Sequence, residues 1–272
     1  MTLQLSAQSE KVVPYGYFGE GRVVDLMPKL TKAGYVPAGV AVLVDRRQYA
    51  PEEVRPTWQK NYFFTGDGSV AGTEGDNLIV SDAQLLRELT AESELYQGAL
   101  VLPAEAWKEL KSQKKSRLHL TADQVQEAQG KGYVKKNGFW TPANKTVAKV
   151  WDTLNKGRDL TSYIQLVSES SPHSESLLNV YLNQTTKDGK PTMRPFVLNR
   201  FDSISNAFGY YNLNSTNGRL VGVAPKAQVV AREKSDSQGI VQPTLEQTLA
   251  IINNPDLNRD GMVKAVSQLY KY

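Results

Sequence analysis

The dipeptide Asn137-Gly138, inside YVKKNGFWT (133–141), constrains local structure more tightly than any other feature of this chain. A two-residue hairpin loop of type I′ needs positive φ at both central positions to follow the right-handed twist of its strands, and Asn-Gly adopts that conformation readily. The flanking runs are short, with β-branched and aromatic residues, as half-buried strands are. A β-hairpin over 133–141 is therefore expected. Just before it, TADQVQEAQGKG begins with Thr121 and Gln124, a capping-box pair that satisfies free amides at a helix start, and closes on glycine.

This helix–hairpin unit sits in a basic stretch. Between Pro103 and Lys149 there are ten Lys and Arg against four Asp and Glu, net +6, although the whole chain carries only +4. Regional basicity of this kind suits an electrostatic contact surface. The unit resembles part of a winged-helix DNA reader, because a helix followed by a Lys-tipped hairpin can lay the hairpin along phosphates. It lacks the additional helix of a helix-turn-helix, and its own helix carries Asp123 and Glu127 with no arginine to read guanine. The expectation is phosphate contact without sequence specificity through Lys114, Lys115, Arg117, Lys135 and Lys136.

Elsewhere helical and extended patterns alternate. VVDLMPKLTKAG suits a helix ending at Gly34 with Asp25 as its cap, YVPAGVAVLVD a buried strand, and NYFFT and NLIV two strands separated by a GDGSVAGTEGDN loop. Ser81 and Gln84 predict a second capping box. In NKTVAKVWDTLNKG, Val147, Val150, Trp151 and Leu154 share one helical face. PTLEQTLAIINN and GMVKAVSQLYKY suggest a C-terminal helical pair. The predicted class is α+β, with mixed sheets, packed helices and the basic helix–hairpin unit in the middle. Two lobes are expected, 1–102 and 103–272.

Absence of cysteine excludes disulfides, thiolate nucleophiles and Cys-ligated zinc or iron–sulfur sites. The two histidines, His119 and His173, make a His-rich metal centre unattractive, and no nucleophile elbow or P-loop is present. The most apolar run, YVPAGVAVLV, is too short to span a bilayer, and the opening residues show no basic-then-apolar leader, so a cytoplasmic protein without membrane contact is expected.

Two further segments carry candidate sites. DLNRDGMVKAVS (256–267) resembles the first half of an EF-hand or dockerin loop, with Asp256, Asn258 and Asp260 as ligands and Gly261 at the sharp turn. Lys264 and Ser267 replace expected ligands, so weak Ca²⁺ binding competes with a plain helix–helix connection in which Asp260 caps the second helix. NAFGYYNLN resembles the RNA-stacking motif of an RRM at Phe208, Gly209 and Tyr210, yet no helix precedes it in the required β–α–β path. What remains is a cluster of Arg194, Arg200, Tyr210, Tyr211 and Arg219 among asparagines, residue types that stack on rings and hold anions. The leading functional expectation is a non-enzymatic protein contacting nucleic-acid phosphates. The alternatives are an enzyme or small-molecule binder using 194–219, and an assembly protein that binds other proteins.

Overall fold

The structure is a computed structural model that describes residues 15–113 and 117–224, all of them within the compact unit Met1–Pro225. The strands are β1 (Tyr15–Gly21), β2 (Val36–Pro37), β3 (Phe63–Ala71), β4 (Asn77–Val80), β5 (Leu95–Tyr96), β6 (Ala99–Val101), β7 (Arg117–Leu120), β8 (Lys131–Lys136), β9 (Phe139–Pro142), β10 (Ser176–Tyr181), β11 (Thr192–Leu198), β12 (Ala207–Phe208) and β13 (Gly218–Val223). The helices are α1 (Val23–Lys32), α2 (Val40–Tyr49), α3 (Arg55–Lys60), α4 (Gln84–Arg87), α5 (Ala104–Ser112), α6 (Ala122–Ala128), α7 (Lys145–Leu154) and α8 (Thr161–Ser170). The C-terminal helical pair expected from the sequence lies outside the described residues.

The class is α+β. One mixed sheet runs in the order β1-β13-β3-β11-β12-β10-β8-β9, with β4 and then β7 branching from β3, and β6 and then β5 branching from β11. Most pairs are antiparallel; β10 with β12 and β13 with β3 are parallel. Strands from either side of residue 102 share this sheet, since β3 pairs with β11 and β4 with β7. The central strands β3 and β11 are buried along their whole length. Against them pack Met27 and Leu30 of α1 with Phe64, Met193 and Leu220 in one continuous apolar core.

Locally encoded elements form as their sequences dictate. β8 and β9 make a hairpin whose turn residues Asn137 and Gly138 take φ of 50° and 85°. Thr121 and Gln124 form the reciprocal capping box of α6. The Asn144 carboxamide oxygen accepts from the Val147 amide at the start of α7, whose Val147, Val150, Trp151 and Leu154 are buried. Trp151 also donates its indole N–H to the Leu178 carbonyl at 2.7 Å, so the ring is buried without an unpaired polar atom.

Four expectations require correction. The apolar run after Gly39 is helix α2, not strand; only Val36 and Pro37 are extended. GDGSVA is not loop but the second half of β3. Ser81 does not cap a helix: its hydroxyl donates to the Thr153 carbonyl, and α4 begins only at Gln84 with no side-chain cap. Asp25 lies inside α1 paired with Arg22, and Pro28 sits well beyond the first turn.

The first two corrections share a cause, because α2 is held at both ends by buried polar side chains. At its start the Asp67 carboxylate of β3 accepts the Val40 amide at 2.6 Å and the Asp82 amide at 2.9 Å, placing negative charge at the positive end of the helix dipole. In its last turns Arg47, fully buried, donates Nε to the Trp58 carbonyl, Nη1 to the Asn199 carbonyl, Tyr163 and Ser205 hydroxyls, and Nη2 to the Asn61 and Leu198 carbonyls. One guanidinium thereby joins α2, α3, α8 and the end of β11.

Candidate functional site

Residues 207–219 cross the surface beside β11 and bring an aromatic row together. Tyr211 stacks on Tyr210 at 5.9 Å and 3°, and on Tyr62 at 6.5 Å and 17°. The Arg219 guanidinium lies 4.8 Å over the Tyr62 ring, closing one end. At the other end Tyr181 meets Tyr210 edge-on at 5.7 Å. Phe208 supports the row, with its ring 4.7 Å from Tyr181, 5.3 Å from Tyr210 and 5.7 Å from Tyr211. Each pair falls in the centroid range where aromatic rings attract beyond simple burial.

The segment is fixed from below. Arg194 of β11, 8% exposed, donates Nη1 to the Tyr210 carbonyl and Nη2 to the Gln97 carbonyl at 2.6 Å, tying the row to the β5–β6 turn. Its Nε is buried with no hydrogen-bond partner, and burial lowers the pKa of the group from its ordinary value. Gly209 is needed for close approach: a Cβ there would lie 2.6 Å from the Ser69 Cβ and 3.0 Å from the Phe196 ring. The Leu213 amide donates to the Gly98 carbonyl at 2.9 Å, and the Tyr62 hydroxyl donates to the Asn217 carbonyl at 2.7 Å.

Tyr210 is 43% exposed, and Asn212, Asn214, Thr216 and Asn217 around it are also exposed. Burial first, then neighbouring phenols, raises the pKa of Tyr210 and Tyr211 above the ordinary value, so both hydroxyls are neutral donors and acceptors at physiological pH. The arrangement offers rigid rings, amides and one guanidinium. It contains no nucleophile–base pair.

Of the residues picked from sequence for this region, Arg194, Tyr210, Tyr211 and Arg219 converge. Arg200 does not: it lies beyond the far end of β11, about 20 Å of extended chain from Arg194, paired with Asp202 at 2.7 Å. Tyr62 and Tyr181 belong to the row and were not singled out, since nothing local marks them apart from other aromatic residues beside strands.

The basic residues are distributed differently. Lys135 and Lys136 are exposed near the hairpin turn, but as consecutive strand residues they project from opposite faces of the ribbon. Arg117 is turned inward, with both terminal nitrogens buried and no hydrogen-bond partner among the described residues. Lys111 is answered by Asp76 at 3.3 Å. Lys114 and Lys115 lie outside the described residues, as do Asp256, Asn258 and Asp260.

Two acidic groups expected in a loop are internal. Asp67 is fully buried, and burial, reinforced by the Asp82 charge, pushes its pKa up to about 6 against two opposing amide hydrogen bonds. Burial acts to raise the pKa of Asp76, but its carboxylate accepts from His119 Nε2 at 2.7 Å and from Lys111 Nζ at 3.3 Å, and together these contacts lower it. Among the described residues no group of three or more His, Asp or Glu side chains is placed to hold a metal ion, and no helix is long and apolar enough to cross a membrane.

No protein-family model matches the chain, and no curated protein matches it. One solved structure, from work on the accommodation of massive sequence variation in Nanoarchaeota by the C-type lectin fold, is similar with a TM-score of 0.56 and 15% identity, over 78% of this chain and 98% of that one. At that identity the likeness is one of fold.

Proposed function

We propose that this chain is a non-enzymatic binding protein whose recognition surface is the tyrosine row Tyr62–Tyr211–Tyr210–Tyr181 with Arg219 and the asparagines of 212–217, and that its partner is another protein. The observation that carries the reading is the contiguous row of half-buried tyrosines, with Tyr210 exposed at its centre, held from beneath by a buried arginine. Tyrosine supplies a large amphipathic contact at low entropic cost, and asparagine, serine and glycine supply adaptable hydrogen bonds; antibody contact loops use this composition for the same reason. Tyrosine and arginine are also the residues most enriched where binding energy concentrates in protein interfaces. The fold likeness adds support, because the similar C-type lectin fold is described as a scaffold that accommodates massive sequence variation.

The test compares the full chain with a Tyr210→Ala/Tyr211→Ala variant as immobilised baits, followed by direct titration of each purified protein that only the parent retains. A partner binding the parent at least about tenfold more tightly than the variant supports the reading. Equal binding to both baits, or retention of nucleic acid alone, would count against it.

A second reading keeps nucleic-acid phosphates as the ligand of the hairpin. It is favoured by Lys135 and Lys136, exposed and without an ion-pair partner among the described residues, beside Phe139, which is 74% exposed. Anisotropy titration of a labelled single-stranded oligonucleotide across salt concentrations tests it. Reversing both lysines to glutamate should flatten the log–log salt slope by one to two units if both touch phosphate, and an unchanged slope removes the reading.

A further inference from the structure

A cleft of about 610 Å³ opens between the β8–β9 hairpin, α7 and the loop into α8, on elements separate from the tyrosine row. This volume lies within the range of roughly 300–1,000 Å³ usual for small-molecule sites. Tyr133 and Trp140 form its ring-bearing wall. They share a face of the hairpin, because Tyr133 pairs with Pro142 and Trp140 with Lys135, and positions two apart on a strand point the same way. Lys149 and Asp152 enter from α7, three residues apart and so neighbours on one helical face. Arg158 and Asp159 complete the lining from the loop.

The charges in this cleft are balanced and unpaired. Two cations and two anions line it, yet among the described residues no ion pair within 4 Å uses Lys149, Asp152, Arg158 or Asp159. Asp159 is held in place by accepting from the Thr161 amide at 3.2 Å and its hydroxyl at 2.8 Å. Both carboxylates act on one phenol: burial foremost, then the charges of Asp152 and Asp159, raise the pKa of Tyr133. Both acids line the same cleft as the two rings. A cation placed there meets both carboxylate charge and ring faces, a combination that binds ammonium groups well. A carboxylate in the same cleft finds the ammonium of Lys149 and the guanidinium fork of Arg158.

We infer that this cleft binds a small zwitterion of the amino-acid type, its ammonium toward Asp152, Asp159 and the Trp140–Tyr133 wall, its carboxylate toward Lys149 and Arg158, and its side chain on the rings. A free amino acid and a short peptide with both termini unblocked carry the same chemistry, and the separation of their charges distinguishes them.

Isothermal titration of the full chain with glycine, leucine, phenylalanine and a leucyl-phenylalanine dipeptide tests the inference, with phenylalaninamide and N-acetylphenylalanine as single-charge controls. At least one zwitterion should bind saturably, and both blocked forms at least about tenfold more weakly. Preference for dipeptide or single residue identifies the source. Asp152 and Lys149 are exposed, so Asp152→Asn and Lys149→Met leave the core intact and should each weaken the zwitterion by about tenfold. Three results would overturn the assignment: no saturable binding by any zwitterion, blocked forms binding as well as the unblocked ligand, or both variants binding as the parent does.

Discussion

Helix α2 and the segment 207–219 both depend on a buried arginine that bonds to backbone carbonyls, yet the two arginines hold different things in place. Around α2 every Arg47 nitrogen is used, and its acceptors come from α3, α8 and both strand ends beneath the helix. Arg194 serves two carbonyls and leaves its Nε without a partner. Above Arg47 lies more core; above Arg194 lies the exposed Tyr210. A guanidinium with no carboxylate beside it can thus anchor either the interior or a surface loop, and the number of its satisfied donors separates the two roles.

The largest expected effect breaks the first of these. Arg47→Met fills similar volume but strips donors from four carbonyls and two hydroxyls, all of them buried or part-buried, which should destabilise the fold by about 3–5 kcal/mol. Urea unfolding followed by far-UV circular dichroism measures it. Arg47→Lys should recover little, because one ammonium cannot reach acceptors spread around a planar fork. A loss below about 1 kcal/mol for Arg47→Met would mean that the helix stays by apolar contact alone.

The other end of α2 gives the next largest effect and a pH signature. Asp67 has a folded-state pKa of about 6 against 3.8 for the free side chain. The native state then holds that proton more tightly than the unfolded chain does. Its contribution to stability is complete below about pH 4 and is lost as pH rises through 6, by about 3 kcal/mol at full titration. Asp67→Asn should abolish this slope. It should also cost about 1–3 kcal/mol at low pH, since a carboxamide nitrogen facing the Val40 or Asp82 amide leaves one donor unanswered. Parallel urea titrations from pH 4 to 7 on both proteins read the difference.

Arg194→Met sharpens the comparison. The Tyr210 and Gln97 carbonyls it releases lie nearer solvent, so the stability loss should be smaller, about 1–2 kcal/mol. Its main consequence should fall on the surface, where the tyrosine row loses its tether to the β5–β6 turn. Amide hydrogen exchange should accelerate within 209–214 while β3 and β11 remain protected.

How far the sequence announced these regions follows from the range of the interactions that make them. The hairpin at Asn137-Gly138, the capping box at Thr121 and the buried face of α7 were legible because each is decided within a few residues. Helix α2 was not. An apolar run of that length suits strand or helix equally, and the deciding contacts come from Asp67 and from the distant partners of Arg47. The same holds for β3: its glycines and serine suggested a loop until β4 and β11 on either side made it a central strand. The tyrosine row was half legible. Tyr210, Tyr211 and Arg219 stood close in sequence, whereas Tyr62 reaches them from 155 positions before Asn217, its hydrogen-bond partner. Arg200 was drawn in by proximity in sequence and excluded by the length of β11.

The smallest effect on stability separates a contact surface from a core most cleanly. Tyr210 is more exposed than any other ring of the row, and its side chain makes ring contacts to Phe208, Tyr181 and Tyr211. Truncation to alanine removes those contacts without opening a closed cavity, so it should cost less than about 1 kcal/mol, against several for Arg47→Met. Partner affinity should move in the opposite order, falling most for Tyr210→Ala and least for a partial rescue such as Tyr210→Phe, which keeps the ring and loses only the hydroxyl. Paired urea unfolding and partner titration on the same preparations measure both quantities. If Tyr210→Ala unfolds the chain as readily as Arg47→Met does, the tyrosines belong to the packing of β11 and β12, and the distinction between an inner and an outer arginine collapses.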